Sequence, residues 1–237
     1  MLVVGAGASG AQIADEPMRA GRRVYFSVGK HKRAPRRYRG HDHVWWWIET
    51  GMDRRPPEKR PVDRCSIVHT GAYGGYTMDF RDFARQGIVL LGRAEPSVDG
   101  AMRFAPDLLA NLAHGDAVYL AFMDFVDAHI AVQGLSFPGD LDARVISPTP
   151  AALAEPIRSL DLRADGVGAV ILATGYGVDF GWIDLPVLDA RGMPVHRLGA
   201  TDVPGLYFLG LPFLSKMSSS FLFGVGDDGE RLAGQQF

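Results

Sequence analysis

The residues of this 237-residue chain whose types and spacing could do chemistry stand at its start. Gly5-Ala6-Gly7-Ala8-Ser9-Gly10 fits the pattern GxGxxG between an apolar run, Leu2 to Val4, and a helix-like segment that carries Ile13 and Ala14. The chemistry this spacing serves is the holding of a dinucleotide pyrophosphate. Gly5 permits a tight turn, Gly7 lets the backbone approach the phosphates with no side chain between, and Gly10 lets the helix pack close to the strand. At Ala8 and Ser9 the helix start would face the phosphates with N–H groups and the positive end of its dipole. One local conflict stands out: Pro17 falls inside the expected helix and should bend or shorten it.

Arg23 to Val28 reads as the second strand, and its end tests which nucleotide fits. A site for NAD places a carboxylate roughly 20 residues past the glycine motif to bind the ribose hydroxyls, and that carboxylate would repel a 2′-phosphate. Ser27 stands there instead. From Arg22 to Arg39 the basic residues are Arg22, Arg23, Lys30, Lys32, Arg33, Arg36, Arg37 and Arg39, with no Asp or Glu among them. NADP(H) is therefore favoured over NAD, with Ser27 and Lys30 as first contacts and Arg36 and Arg37 as helpers across a loop. A basic run alone would more often be a solvated loop or a patch for RNA or membrane; its place after the second strand decides for the nucleotide.

The elements that must position these residues follow in order. Val44 to Ile48 holds three of the four tryptophans and is read as packing. Pro56, Pro57 and Pro61 make Asp53 to Arg64 a loop, Gly71 to Thr77 a turn, and Ile88 to Leu91 a short strand. Residues 105–133 have helical apolar spacing and form one long helix or a pair broken near Gly115 and Asp116. After a proline-rich connector, Val167 to Ala173 suits a strand buried on both faces and ends in Thr174-Gly175. Leu206 to Gly210 reads as another buried strand, followed by a polar stretch and a final helix. Gly224 to Gly229 also satisfies GxGxxG, but its two aspartates oppose a pyrophosphate and too little chain follows for a βαβ unit. The architecture expected is α/β, a three-layer Rossmann-like domain with a mostly parallel sheet.

Composition sets the outer limits. The hydrophobic content of 47% with 22% charged residues is that of a folded globular chain. A net charge of −2 provides no global attraction for nucleic acid or anionic membrane, so any anion site must come from a local cluster. The single cysteine, Cys65, leaves no internal disulfide and makes cytoplasm the default location. No apolar run approaches the roughly 20 residues of a membrane helix, and no secretory leader precedes the first strand. His69 has no partner at ligand spacing, so no metal site is expected.

Three separated segments carry a resemblance: Val3 to Gly10 with the basic run, Leu172-Ala173-Thr174-Gly175-Tyr176, and Gly205 to Gly210 leading to Gly224-Val225-Gly226-Asp227. Together and in this order they resemble the flavin-containing monooxygenase family and bacterial FAD-dependent oxidoreductases near it. The resemblance implies that residues 1–178 are the NAD(P)-binding Rossmann-like domain and that 179–237 are the C-terminal remainder of an FAD-binding domain. It also implies a truncation, since the family's FAD glycine motif and its FxGxxxHxxx(Y/F) fingerprint have no match here. Thr174 and Gly175 would lie at the crossing between domains, and Gly210 and Asp227 beside the FAD. In that family NADPH gives hydride to the flavin and an unspecified small substrate is oxygenated, so the resemblance implies that no side chain here is required as a catalytic acid, base or nucleophile. The alternatives are a non-catalytic NADP-binding module, a remnant needing a separate FAD-domain chain, or a homo-oligomer that completes the site.

Overall fold

A computed structural model describes residues 1–59, 66–98 and 100–234. Cys65 and the Pro61 end of the expected loop lie outside the described residues. The strands and α-helices are β1 (Leu2–Val4), α1 (Ala8–Arg19), β2 (Tyr25–Ser27), β3 (Lys32–Arg33), β4 (Arg37–Tyr38), β5 (His41–Asp42), α2 (His43–Glu49) and β6 (Ile67–Val68). They continue with α3 (Phe80–Arg85), β7 (Val89–Leu91), β8 (Ala94–Val98), β9 (Ala101–Phe104), α4 (Leu108–Gln133), β10 (Ser159–Asp161), β11 (Val170–Leu172) and α5 (Val225–Ala233). The chain divides into two compact units, residues 1–43 with 65–175, and residues 44–64 with 176–237.

The first unit is built on a parallel sheet in the order β11-β1-β2-β7. Alternation along each strand sends side chains to opposite faces. Val3, Phe26 and Leu90 pack with Ala11, Ala14, Phe83, Leu108 and Leu112 of α1, α3 and α4. Leu2, Val4, Tyr25 and Leu91 face the other way, against Phe104 and Leu160. The latter belong to an antiparallel sheet, β10-β9-β8, so the layers are helices, parallel sheet and antiparallel sheet. Pro96 sits in β8 at that sheet's edge, where the register shifts between Glu95 and Val98, as a residue without an N–H requires.

α4 is one continuous helix of 26 residues. Gly115 is not a break: a methyl group there would stand 2.4 Å from Nε2 of the buried His31, so glycine marks the close approach of another segment. Two expectations need correction. β11 is not buried on both faces: Val170 and Leu172 are 40% and 70% exposed, because β11 is the outer strand of the sheet. Leu206 to Gly210 is not a strand either. Tyr207 makes a single bridge to Ala200, which is too little for a ladder, although Phe208 is buried.

The second unit contains α5, short 3-10 turns at Met52–Arg54 and Met217–Ser220, and isolated bridges. Met217 N–H donates to the Arg55 carbonyl at 2.7 Å, and Trp47 meets Phe221 edge-on at 5.8 Å. Trp47 and Arg55 thus pack with C-terminal residues of the same unit. Trp46 is fully buried, in keeping with packing as the role of the tryptophan cluster.

Candidate dinucleotide site

The strand order places the glycine turn at the point where successive connections leave in opposite directions, between β1 and β11. In open α/β sheets that crevice, at the carboxyl ends of the strands, is where ligands bind. Each glycine of the motif has a concrete reason to be there. Gly5 adopts φ +108°, and a methyl group on it would stand 2.4 Å from the Ala173 carbonyl oxygen. On Gly10 a methyl group would stand 1.8 Å from the Gly5 carbonyl oxygen and 3.3 Å from Ala173 Cβ. Gly7 precedes α1 as its N-terminal cap residue in extended conformation, and the first turn of the helix carries no carboxylate. The helix start therefore presents a positive dipole end.

Ala8 N–H donates to Ser66 Oγ at 3.0 Å, a contact from a residue 58 positions away that the glycine motif does not signal. Ser9 is exposed and Gly10 is buried. The Gly5 N–H donates to the Ser27 carbonyl at 3.2 Å, which brings the end of β2 beside the turn. Ala173 N–H donates to the Val4 carbonyl at 2.7 Å and sets Thr174 and Gly175 just beyond, both exposed and Gly175 at φ +97°. Gly5, Gly10, Ser27 and Thr174 thus share one sheet edge.

Ser27 is buried, and its Oγ donates to the Gly92 carbonyl at 2.9 Å. Its contribution at the end of β2 is the absence of a negative charge rather than a free hydroxyl. Lys30 is exposed three residues later. Three members of the basic run, Arg33, Arg36 and Arg39, are neutralised by acidic partners outside the run. Arg33 pairs with Asp79 and Asp116, each at 2.9 Å, and lies over the Tyr119 ring at 4.2 Å. Arg36 pairs with Asp42 at 2.9 Å, and Arg39 with Asp127 at 2.7 Å. Arg37 is exposed and donates to the carbonyls of Gly74 and Gly75 at 3.1 and 3.2 Å. Of a run that reads as eight clustered charges, three are thus held in internal ion pairs.

In the second unit, Gly210 adopts φ +77°. Asp227 points outward and pairs with Lys216. The carboxylate that turns inward is its neighbour Asp228, buried, accepting from Ser215 Oγ and pairing with Arg231 at 2.8 Å; these bonds hold it below the usual carboxylate range against the opposing effect of burial. Sequence spacing could not separate these adjacent aspartates, because only packing decides which one faces inward. A methyl group on Gly224 would stand 2.3 Å from the Ser218 carbonyl oxygen, so the second GxGxxG run begins in a packing contact rather than a phosphate cradle. Among the described residues there is no group of three or more His, Cys, Asp or Glu side chains that could hold a metal ion, and no helix is long and apolar enough to cross a membrane.

No protein-family model and no solved structure matches the chain. Among curated proteins it is 32% identical over 236 residues to an uncharacterized oxidoreductase CzcO-like of Geobacillus kaustophilus, covering 98% of this chain and 51% of that protein. It is 43% identical over 70 residues to an uncharacterized oxidoreductase CzcO of Bacillus subtilis, and 40% identical over 70 residues to one of Bacillus velezensis, each match covering 29% of this chain and 20% of the relative. The chain thus spans about half the length of the relative that it matches throughout, and all three relatives carry the name oxidoreductase.

Proposed function

We propose that this chain is the NADP(H)-binding part of an FAD-dependent oxidoreductase of flavin monooxygenase type. The observation that carries the reading is the glycine turn at the β1/β11 crevice, packed to the limit by Gly5 and Gly10 and joined at its side by a β2 end without a carboxylate. A relative named as an oxidoreductase along nearly all of this chain supports a redox role.

The residues present fit NADP(H): Gly7 and Ser9 would hold the pyrophosphate with backbone N–H groups, joined by the Ala8 N–H where a phosphate oxygen displaces Ser66 Oγ, and Lys30, aided by Arg37, the 2′-phosphate. The bound nucleotide supplies a hydride. The protein's share is to fix the phosphates at the helix start and to direct the nicotinamide end toward the side where Thr174 and Gly175 leave the sheet. For FAD the fit is narrower. The acidic start of α5 opposes a second pyrophosphate, so Gly210 and the Asp228 region would meet a flavin only at its uncharged ring end. The pyrophosphate end of FAD would then be held by residues beyond these 237, in a further segment, a separate FAD-domain chain or a second copy.

A non-catalytic NADP-binding module is the second reading. It is favoured by the exposure of Tyr176, Trp182 and Leu222 in the second unit, apolar surface of the kind that a partner covers. Purification separates the two. A yellow protein that oxidises NADPH supports the enzyme; a colourless protein that binds NADPH, and oxidises none after FAD is added, supports the module.

A further inference from the structure

The end of β2 has a neighbour that lies far from it in sequence. β7 runs beside β2 in parallel register, Ser27 opposite Leu91, and the two segments stay together beyond their last paired residues. Val28 N–H donates to the Leu91 carbonyl at 2.9 Å, and Ser27 Oγ donates to the Gly92 carbonyl at 2.9 Å. One residue further on, a methyl group on Gly29 would meet Arg93 Cγ at 3.8 Å and Cδ at 4.0 Å, so the stem of Arg93 lies along Gly29. Arg93 is thereby brought to the strand end from which Lys30 follows.

The backbone of Arg93 is fixed, whereas its charge is not. Its N–H donates to Asp107 Oδ1 at 2.9 Å and its carbonyl accepts from Ala105 N–H at 2.8 Å. Gly92 before it has no room for a methyl group, which would stand 1.9 Å from the Ala105 carbonyl oxygen. The Arg93 side chain, by contrast, is 64% exposed. Asp107 Oδ2 stands 3.6 Å from its Nε, beyond hydrogen-bond length, and so exposed a pair is worth little. Among the described residues neither Nη group has a hydrogen-bond partner. Arg33, Arg36 and Arg39 are tied into shorter ion pairs of 2.7 to 2.9 Å, so Arg93 is the guanidinium that this strand end leaves open.

We infer that Arg93 determines nucleotide specificity: its guanidinium binds the adenosine 2′-phosphate of NADP(H) from the β7 side while Lys30 binds it from the β2 side. This rests on the reading of the glycine turn as a dinucleotide site and adds a contact to that site from a second strand end. In a βαβ unit of this kind the adenosine ribose lies over the end of the second strand, which is where the Arg93 stem rests on Gly29. A planar guanidinium with both Nη groups open can meet two phosphate oxygens at once, and a phosphate dianion outcompetes the single, long approach of Asp107. NAD(H), with a bare hydroxyl at that place, offers Arg93 no comparable partner.

The test is calorimetric titration of the full chain with NADP⁺ and NAD⁺, which differ only in the 2′-phosphate. Arg93→Gln should weaken NADP⁺ by about fivefold or more and change NAD⁺ by less than about twofold. Arg93→Lys keeps the charge and should retain most of the NADP⁺ affinity. Arg23→Gln removes an exposed cation before the opposite end of β2 and should change neither nucleotide, which separates a local contact from an effect of net charge. An unchanged melting temperature in Arg93→Gln shows that the exposed guanidinium has no part in folding. Equal loss of both nucleotides in Arg93→Gln would place Arg93 on the adenine face and overturn the 2′-phosphate assignment, as would a loss that Arg23→Gln matches. A wild-type preference for NADP⁺ that survives Arg93→Gln would overturn the assignment of Arg93 and leave the dinucleotide site standing. Binding of neither nucleotide by the wild-type chain would overturn both.

Discussion

Gly10 leaves no room for a methyl group, since the nearest atom is a backbone carbonyl oxygen at 1.8 Å and cannot swing aside as a side chain would. Gly10→Ala should therefore separate α1 from β1 and destabilise the protein by about 2–4 kcal/mol, measured by urea unfolding, even though alanine is the better helix former. His31 makes a second residue-scale prediction. It is buried against Phe80, ring centroids 4.5 Å apart, and burial lowers its pKa to about 4; burial lowers that of His43 to about 3. Both are neutral when folded, whereas the unfolded chain takes up protons below the ordinary histidine pKa of about 6.5. Stability is thus fully present above about pH 6.5 and is lost as pH falls toward 4. Melting temperature followed across that window should drop steeply, and His31→Gln should remove part of the slope. A flat profile down to pH 4 would contradict the burial of these rings.

α4 and the elements around it are tied by a buried group of charges. Arg33 of β3 and Arg81 of α3 both bind Asp116 of α4, at 2.9 and 2.7 Å, and Arg33 also binds Asp79. Asp116→Asn leaves two buried guanidinium groups short of a charge and should cost about 3 kcal/mol or more, read from the denaturant midpoint. Gly115→Ala, one residue away, should also destabilise the protein by driving a methyl group into His31. Both outcomes bear on what could be read from the chain. The glycine turn, the alternation of β1 and β2 and the helical spacing of residues 108–133 are local signals, and local signals survive in a sequence. The partners of the basic run are not local: Asp116 lies 83 residues from Arg33, and Asp127 lies 88 from Arg39. Arg33, Arg36 and Arg39 therefore looked open to an anion where the fold makes ion pairs. The apolar run at β11 likewise looked like an interior strand, because composition reports what can be buried and not which edge of a sheet it occupies.

At the scale of the whole molecule, the first unit has a mostly parallel sheet in an α/β arrangement consistent with a Rossmann-like fold, while the second unit leaves large apolar side chains in water. The site residues follow that division. Gly5, Gly7, Ala8, Ser9, Gly10, Ser27 and Lys30 belong to one continuous βαβ segment of the first unit, whereas Gly210 and Asp227 belong to the second. That continuous segment makes nucleotide binding the property testable on this chain without any partner. The most direct measurement is the dissociation constant of the full chain for NADPH against NADH under one condition of salt and pH. The account predicts NADPH tighter by about tenfold or more, the worth of one well-placed cation on a phosphate, with most of that difference lost in Lys30→Ala. Equal affinity for the two nucleotides, or binding of neither, would contradict it.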